Sequence, residues 1–132
     1  MLNYNIFYAN FVIKQVGVLM TFGQITDAFK CEIIHKGNNF DSAKIINVSA
    51  GDMMSEVLVS DEENRILITA LTTDQVIRTA DIVEAIGIIL INGKQPQNSM
   101  RNLAVDSDIT LLSTNLSMFE VCIVLGKLLG KC

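Results

Sequence analysis

The sequence predicts an α/β domain with a mostly parallel sheet, and two observations lead to that fold class. The chain has 132 residues, half of them apolar, and a single proline, so it can bury one compact core. From residue 65 onward, a short apolar run, a polar joint and a helical pattern follow one another three times. Such alternation is typical of parallel strands covered on both faces. We therefore expect three layers: a central mixed sheet of about five strands, with helices on both faces.

The predicted domain begins at Met20. Thr21-Phe-Gly-Gln24 has the pattern of a capping box, with Met20 and Ile25 placed as its hydrophobic staple, and predicts a helix to about residue 29. Residues 1–19 are apolar but are interrupted by polar side chains, and they lack a basic start and a small-residue cleavage site. We interpret residues 1–19 as a doubtful N-terminal extension and residues 20–132 as one domain.

Two strands and a short helix are expected next. Residues 31–35 and 44–48 have strand patterns separated by a turn-forming run, and the second strand can pair with the first in either direction. Residues 51–58 carry the apolar stripe of a short amphipathic helix. The stripe consists of Met53, Met54, Val57 and Leu58. A polar loop is expected at residues 61–64.

Three strand–helix units make up the rest of the chain. The predicted strands are residues 65–69, 87–91 and 108–112, and the helices that follow them are residues 72–85, 96–104 and 117–129. Thr72-Thr-Asp-Gln75 and Ser117-Met-Phe-Glu120 both fit capping boxes, and Pro96 suits a first helical position. Crossovers between parallel strands are right-handed.

Charge and cysteine content narrow the function classes. The net charge of −4 and the absence of a basic face disfavour nucleic-acid binding, and no apolar segment is a convincing membrane span. The cysteines are Cys31, Cys122 and Cys132, too few and too scattered for a disulfide framework or a metal knuckle. A reducing cytoplasm is therefore expected.

Polar residues follow three of the predicted strands, where each strand joins its helix. In an open α/β sheet, ligands bind beyond the carboxyl ends of the strands, beside helix N-termini that favour anions. These joints predict a site for a small polar or anionic ligand. The candidate ligand-binding residues are Thr69, Thr72, Thr73, Asn92, Gly93, Lys94, Ser113 and Thr114. A purely structural interpretation stays open, since hydroxyl residues cap helices and Asn-Gly forms turns.

Catalytic motifs are scarce. The sequence has no phosphate loop, dinucleotide-binding glycine pattern, nucleophile elbow or zinc-binding helix motif, so we predict no catalytic residue, no metal and no cofactor. His35 is interpreted as a surface or internally bonded histidine. Asp52 and Glu56 are like charges one helical turn apart, which is typical of an exposed face. An unrecognised enzyme is one alternative. Its polar cluster would be Thr69, Thr72, Thr73 and Lys94.

Four segments between residues 20 and 131 occur in the order found in one known domain. They are Gly51-Asp-Met-Met-Ser55, residues 66–74, residues 85–93 and residues 111–120. In these segments the chain resembles the DRTGG domain, which is similar to the N-terminal domains of HPr kinase/phosphorylase and of the Mur ligases. Leu116-Ser-Met-Phe-Glu120 matches the Leu-Ser-x-Phe-Glu helix start of that family.

The resemblance does not extend to the residues that name the family. Asp41 can stand for the signature aspartate, but Ser42 occupies the arginine position and residues 43–47 offer no Thr-Gly-Gly. The resemblance therefore implies a fold like that of the HPr kinase N-terminal domain, without a transfer of any site in this loop.

What the resemblance implies is a regulatory or ligand-sensing domain without catalysis of its own. Family members are fused to CBS modules or enzymes, and small stand-alone members look like partners of kinase-like ATPases. We expect a homo-oligomer, most simply a dimer, because the C-terminal helix is rich in Val, Leu and Ile. We expect no nucleic-acid or membrane partner. The alternative is a pure protein-interaction or scaffold module that binds no small molecule.

Overall fold

The structure is a computed structural model, and it describes residues 18–132. Within those residues the strands are β1 (Glu32–His35), β2 (Asn47–Ala50), β3 (Arg65–Thr69), β4 (Gly87–Leu90) and β5 (Thr110–Ser113). The helices are α1 (Phe22–Ala28), α2 (Met54–Val59), α3 (Asp74–Ile82), α4 (Asn98–Asp106) and α5 (Met118–Leu128). The expected extension at residues 1–19 lies, for residues 1–17, outside the described residues, and the boundary at Met20 stays a prediction.

The strands form one mixed sheet in the order β1-β5-β4-β3-β2. β2, β3, β4 and β5 run parallel to one another, and β1 runs antiparallel to β5. The carboxyl ends of β3, β4 and β5 therefore lie at the same edge of the sheet. The two strands whose mutual direction the sequence left open do not pair, because β1 and β2 are the opposite outer strands.

Helices cover both faces of the sheet, which confirms the predicted three-layer α/β fold. On one face, α1 and α5 pack against Ile66, Ile68 and Ile89. On the other face, α2, α3 and α4 pack against Leu67 and Ile88. Because successive strand residues point to opposite faces, both faces need apolar side chains, and β3 and β4 read as continuous runs of Ile and Leu.

Two of the predicted capping boxes are present. The side chains of Thr21 and Ser117 each accept a hydrogen bond from the backbone N–H three residues further on. Gln24 and Glu120 in turn accept from the backbone N–H of the capping residue, at 2.9 Å in both cases. α1 and α5 therefore begin where local sequence alone places them.

The starts of α3 and α4 differ from the prediction. No box forms at Thr72, since the N-cap of α3 is Thr73 and its side chain makes no capping bond. Pro96 does not open α4, whose N-cap is Gln97. One contact accounts for both shifts. The N–H of Gln97 donates to the carbonyl of Thr72 at 2.9 Å, which ties the two joints together before either helix begins.

The second strand also begins later than predicted. β2 starts at Asn47, because Ile45 forms an isolated antiparallel bridge with Met20 instead of extending the strand. The backbone N–H of each bridge residue donates to the carbonyl of the other at 2.8 Å. A contact between residues distant in sequence thus takes the place of the strand that the local pattern predicts at residues 44–46.

The second helix is shorter than predicted, and only half of its predicted stripe is buried. Met54 and Val57 face the core, whereas Met53 is 60% exposed and Leu58 is 44% exposed. Met53 has extended backbone angles, and the carboxylate of Asp52 is bonded to the end of β3. The chain before α2 is therefore held against the sheet, and the helix cannot begin at residue 51.

Candidate functional site

The joints that follow β3, β4 and β5 lie side by side and are bonded to one another through the backbone. The N–H of Ile91 donates to the carbonyl of Thr69 at 3.2 Å, which connects the first joint to the second. The N–H of Gly93 donates to the carbonyl of Thr114 at 2.8 Å, which connects the second to the third. The structure thus brings the predicted ligand-binding residues together at the carboxyl edge of the sheet.

Three of the predicted hydroxyl groups are buried and already bonded within the protein. The hydroxyl of Thr69 donates to Asp52 Oδ1 at 2.7 Å. Ser113 donates to the carbonyl of Lys94 at 2.7 Å, and Thr114 donates to the carbonyl of Lys30 at 2.9 Å. These side chains shape the joints, and a ligand would meet the neighbouring backbone and the exposed side chains instead.

The other predicted residues are more accessible. Asn92 and Lys94 are exposed, and Thr72 and Thr73 are half-buried. Asn92 and Gly93 have positive φ angles of 57° and 70°, which confirms the Asn-Gly turn after β4. The backbone of Gly93 passes so close to Asn115 Oδ1 that a Cβ atom would lie 2.9 Å from it. Glycine is therefore required here both by conformation and by space.

A cleft of about 240 Å³ opens beside these joints, between β5 and the start of β1. It contains two predicted residues, Ser113 and Thr114, and five residues that the sequence did not single out. The additional residues are Lys30, Cys31, Glu32, Gln95 and Asn115. Three of them precede or open β1, which lies beside β5 only in the folded sheet, so no local signal marks them. Asn115 belongs to a joint that the sequence did mark.

The polar groups of this cleft include a cation, Lys30, a carboxylate, Glu32, and hydrogen-bonding amides. Lys30 is exposed, and the described residues place no carboxylate in ion-pair contact with it. Gln95 Nε2 donates to Glu32 Oε1 at 3.0 Å. Burial raises the pKa of the Cys31 thiol to about 11, so this thiol is neutral at physiological pH. The cleft can thus hold a small anionic or polar group but contains no activated nucleophile.

Asp52 has a structural role that the sequence did not reveal. Its Oδ1 atom accepts from the Thr69 hydroxyl and, at 2.9 Å, from the N–H of Ala70. Asp52 and Glu56 are both exposed, as predicted, but Asp52 precedes α2, so the two do not share a helix. Asp52 connects the loop before α2 to the joint after β3.

The single histidine is hydrogen-bonded within the protein, one of the two interpretations that the sequence allowed. His35 Nε2 lies 3.0 Å from Asp108 Oδ1, and Asp108 Oδ2 accepts from the N–H of Asn38 at 3.1 Å. The hydrogen bond with His35, followed by that from Asn38, lowers the pKa of Asp108. This pair connects the end of β1 to the start of β5, at the edge of the sheet opposite the joints that follow β3, β4 and β5.

Neither a metal centre nor a membrane span is found in the part of the chain that the structure describes. Among residues 18–132, no three His, Cys, Asp or Glu side chains lie close enough to bind one metal ion. In the same range, no helix combines the length and the apolar character needed to cross a bilayer.

The fold has a match among solved structures. No protein-family model matches the chain, and no curated protein matches its sequence. The chain is similar to the CBS and DRTGG domains of the regulatory region of Clostridium perfringens pyrophosphatase, in a crystal structure with the activator diadenosine tetraphosphate. The TM-score is 0.59 at 20% sequence identity.

This match covers 82% of the present chain and 46% of the other one. The chain thus spans less than half of the pyrophosphatase fragment. The DRTGG-like architecture expected from the sequence is confirmed as a fold, and at this identity the likeness concerns the fold alone.

Proposed function

We propose that this chain is a regulatory domain that senses a small polar or anionic ligand at the carboxyl edge of its sheet and does not itself catalyse a reaction. The proposed contacts are Thr69, Thr72, Thr73, Asn92, Gly93, Lys94, Ser113 and Thr114, joined by Lys30 and Asn115. Because the hydroxyls of Thr69, Ser113 and Thr114 are already bonded, their role is to position the backbone that meets the ligand.

One observation carries this proposal. The cleft of about 240 Å³ places an exposed lysine, Lys30, beside the joint that follows β5. The backbone carbonyl of the exposed Lys94 accepts from Ser113, a residue of the cleft, so Lys94 belongs to the neighbouring joint. An exposed cation at a polar cleft favours an anion such as a phosphate group.

The fold likeness supports the same class of function. The pyrophosphatase fragment is a regulatory region, and it is complexed with an activator that carries several phosphate groups. A nucleotide or other phosphorylated metabolite is therefore the first ligand class to test on this chain.

The test is calorimetric titration and thermal unfolding of the full chain with diadenosine tetraphosphate, ATP, sugar nucleotides and sugar phosphates. A ligand at 100 times its dissociation constant adds about 2.7 kcal/mol to the free energy of unfolding. We expect Lys30→Ala and Lys94→Ala each to weaken binding about tenfold, a loss near 1.4 kcal/mol. The matched control is Lys44→Ala, an exposed lysine at the amino end of β2.

Two results would contradict the proposal. If no compound of this panel binds the folded chain, the protein-interaction alternative takes its place. If a compound binds and the Lys44 variant loses as much affinity as the Lys30 and Lys94 variants, the ligand binds elsewhere.

We further propose that the domain acts as a homodimer or through a protein partner, such as a kinase-like ATPase, in the cytoplasm. Phe119 of α5 is 74% exposed, which provides an apolar side chain for self-association. Light scattering of the full chain and of Phe119→Ser tests the dimer, and we expect the variant to be monomeric at concentrations where the parent is dimeric.

A further inference from the structure

The outer side of β2 is a free strand edge in the described part of the chain. The N–H group of Asn47 donates to the carbonyl of Asn64, just before β3, and the N–H group of Gly51 donates to the carbonyl of Ile68 in β3. Because backbone direction alternates along a strand, Val48 and Ala50 turn their N–H and C=O groups away from β3. No described strand lies beyond them, so these groups are available to another extended chain.

A groove of about 340 Å³ lies along this edge, between β2 and α2. Its apolar lining includes Val48, Ala50 and the exposed Met53. Three carboxylates line the same groove, from Asp52, Glu56 and Glu62, and no lysine or arginine among the described residues does so. The groove thus combines free backbone groups, a small apolar surface and negative charge.

The acidic surface continues around α2. A second groove of about 270 Å³ adjoins the first and shares Ser60 and Glu62 with it. Asp61 and Glu84 add carboxylates there, and Leu58 and Ile82 add exposed apolar side chains. Its one arginine, Arg65, is 1% exposed and is bonded to α2, so its charge is not presented to solvent.

The negative charge of these grooves favours some binding partners over others. A second copy paired edge to edge would bring the same carboxylates together, and like charges facing each other across an interface cost binding energy. A phosphorylated ligand would be repelled for the same reason. An extended segment that carries lysine or arginine complements both the charge and the free backbone groups.

We propose that the β2 edge and its acidic groove bind a partner protein through an extended, lysine- or arginine-bearing segment, which adds a strand to the sheet. The outward groups of Val48 and Ala50 form the backbone bonds, and the partner's small apolar side chains lie over Met53. Its basic side chains face Asp52, Glu56 and Glu62. This surface is separate from the cleft that contains Lys30, so an experiment can disprove one of the two proposals and still support the other.

The experiment uses the full, isotope-labelled chain and a capped octapeptide of alternating lysine and valine, followed by amide NMR and hydrogen exchange. We expect the amide signals of Val48 and Ala50 to shift and their exchange to slow on binding, and the affinity to fall as salt is raised. Two control peptides separate the contributions. An alternating glutamate–valine peptide tests the charge, and an N-methylated lysine–valine peptide tests the backbone bonds.

A pair of variants with equal changes of charge tests the location. Glu56→Lys combined with Glu62→Lys should lower the affinity for the lysine peptide at least about tenfold. Asp41→Lys combined with Asp106→Lys changes two exposed carboxylates that line neither groove, and this control should bind within about twofold of the parent.

Several outcomes would overturn the proposal. One is the absence of binding at ~1 mM peptide, the weak end of specific recognition. Another is binding that leaves the Val48 and Ala50 amides unchanged, or that the N-methylated peptide reproduces. Concentration-dependent shifts of the same amides without peptide would assign the edge to a second copy of the chain instead.

Discussion

The two outer strands of the sheet differ in the charged side chains beside them. β1 runs antiparallel to β5 with an irregular register between Ile33 and His35, and the cleft beside it contains one cation, Lys30, and one carboxylate, Glu32. β2 runs parallel to β3, and the groove beside it is lined by carboxylates and no described cation. The proposed ligand cleft and the proposed partner-binding groove thus lie at opposite outer strands of one small sheet.

The two outer strands are also held in place differently. At β1, the hydrogen-bonded pair of His35 and Asp108 connects the strand to its neighbour. At β2, the guanidinium of Arg65 donates to the carbonyls of Val57 and Ser60 and to the hydroxyls of Ser49 and Ser60. Arg65 therefore joins α2, β2 and β3, while its Nε atom has no hydrogen-bond partner among residues 18–132.

The largest effect is expected from Arg65→Met. This change leaves the carbonyls at the end of α2 without their charged donor, and we expect the free energy of unfolding to fall by about 2–3 kcal/mol. Urea denaturation measures the loss, and faster amide exchange in α2 would locate it at the β2 side. The matched control is Arg78→Met, an exposed arginine paired with Asp74, which should change stability by less than about 0.5 kcal/mol. Equal stability of the Arg65 variant and its parent would show that α2 is held by apolar packing alone.

A smaller loss of stability is expected when the buried threonines of the joints after β3 and β5 are replaced. Thr69→Val and Thr114→Val each remove a hydroxyl that both donates and accepts a hydrogen bond, and each should cost about 1–2 kcal/mol. Thr72→Val, whose hydroxyl has no bond among the described residues, should stay within about 0.5 kcal/mol of the parent. Thermal and urea unfolding of the three variants provide the measurement. A large loss for Thr72→Val would contradict this division between shaping residues and accessible ones.

The smallest effect is expected from Asp108→Asn, and it disappears at acidic pH. The pKa of Asp108 is lower in the folded chain than in the unfolded chain, so the unfolded chain takes up the proton first as the pH falls. Stability from this carboxylate is present above about pH 4, its ordinary pKa, and is lost as the pH falls through the lower folded value. The variant should therefore lose less stability than the parent on acidification.

Urea midpoints measured from neutral pH to about pH 2.5 test this expectation. Asp106→Asn is the control, since Asp106 is exposed and has no hydrogen-bond partner among the described residues. Parallel acid profiles for the parent and Asp108→Asn would show that the pair with His35 does not stabilise the β1 side.

Sequence alone determined the fold class, because its signals are local or periodic. The capping residues Thr21 and Ser117 act on backbone groups three positions away, and continuous apolar runs such as Ile66-Leu-Ile68 are required wherever both faces of a strand are covered. The convergence of the three joints also followed from sequence, since parallel strands end at the same edge.

Tertiary structure decided the contents of both proposed binding surfaces. Lys30 and Cys31 belong to the proposed ligand cleft only because β1 pairs with β5. These strands are far apart in sequence, since β1 begins at Glu32 and β5 begins 78 residues later, at Thr110. The role of Asp52 depends in the same way on Thr69, 17 positions away. Hydrogen bonds and strand pairings between distant residues produce no local pattern in the sequence. Any strand with a suitable alternation of side chains could have paired with β5 in place of β1.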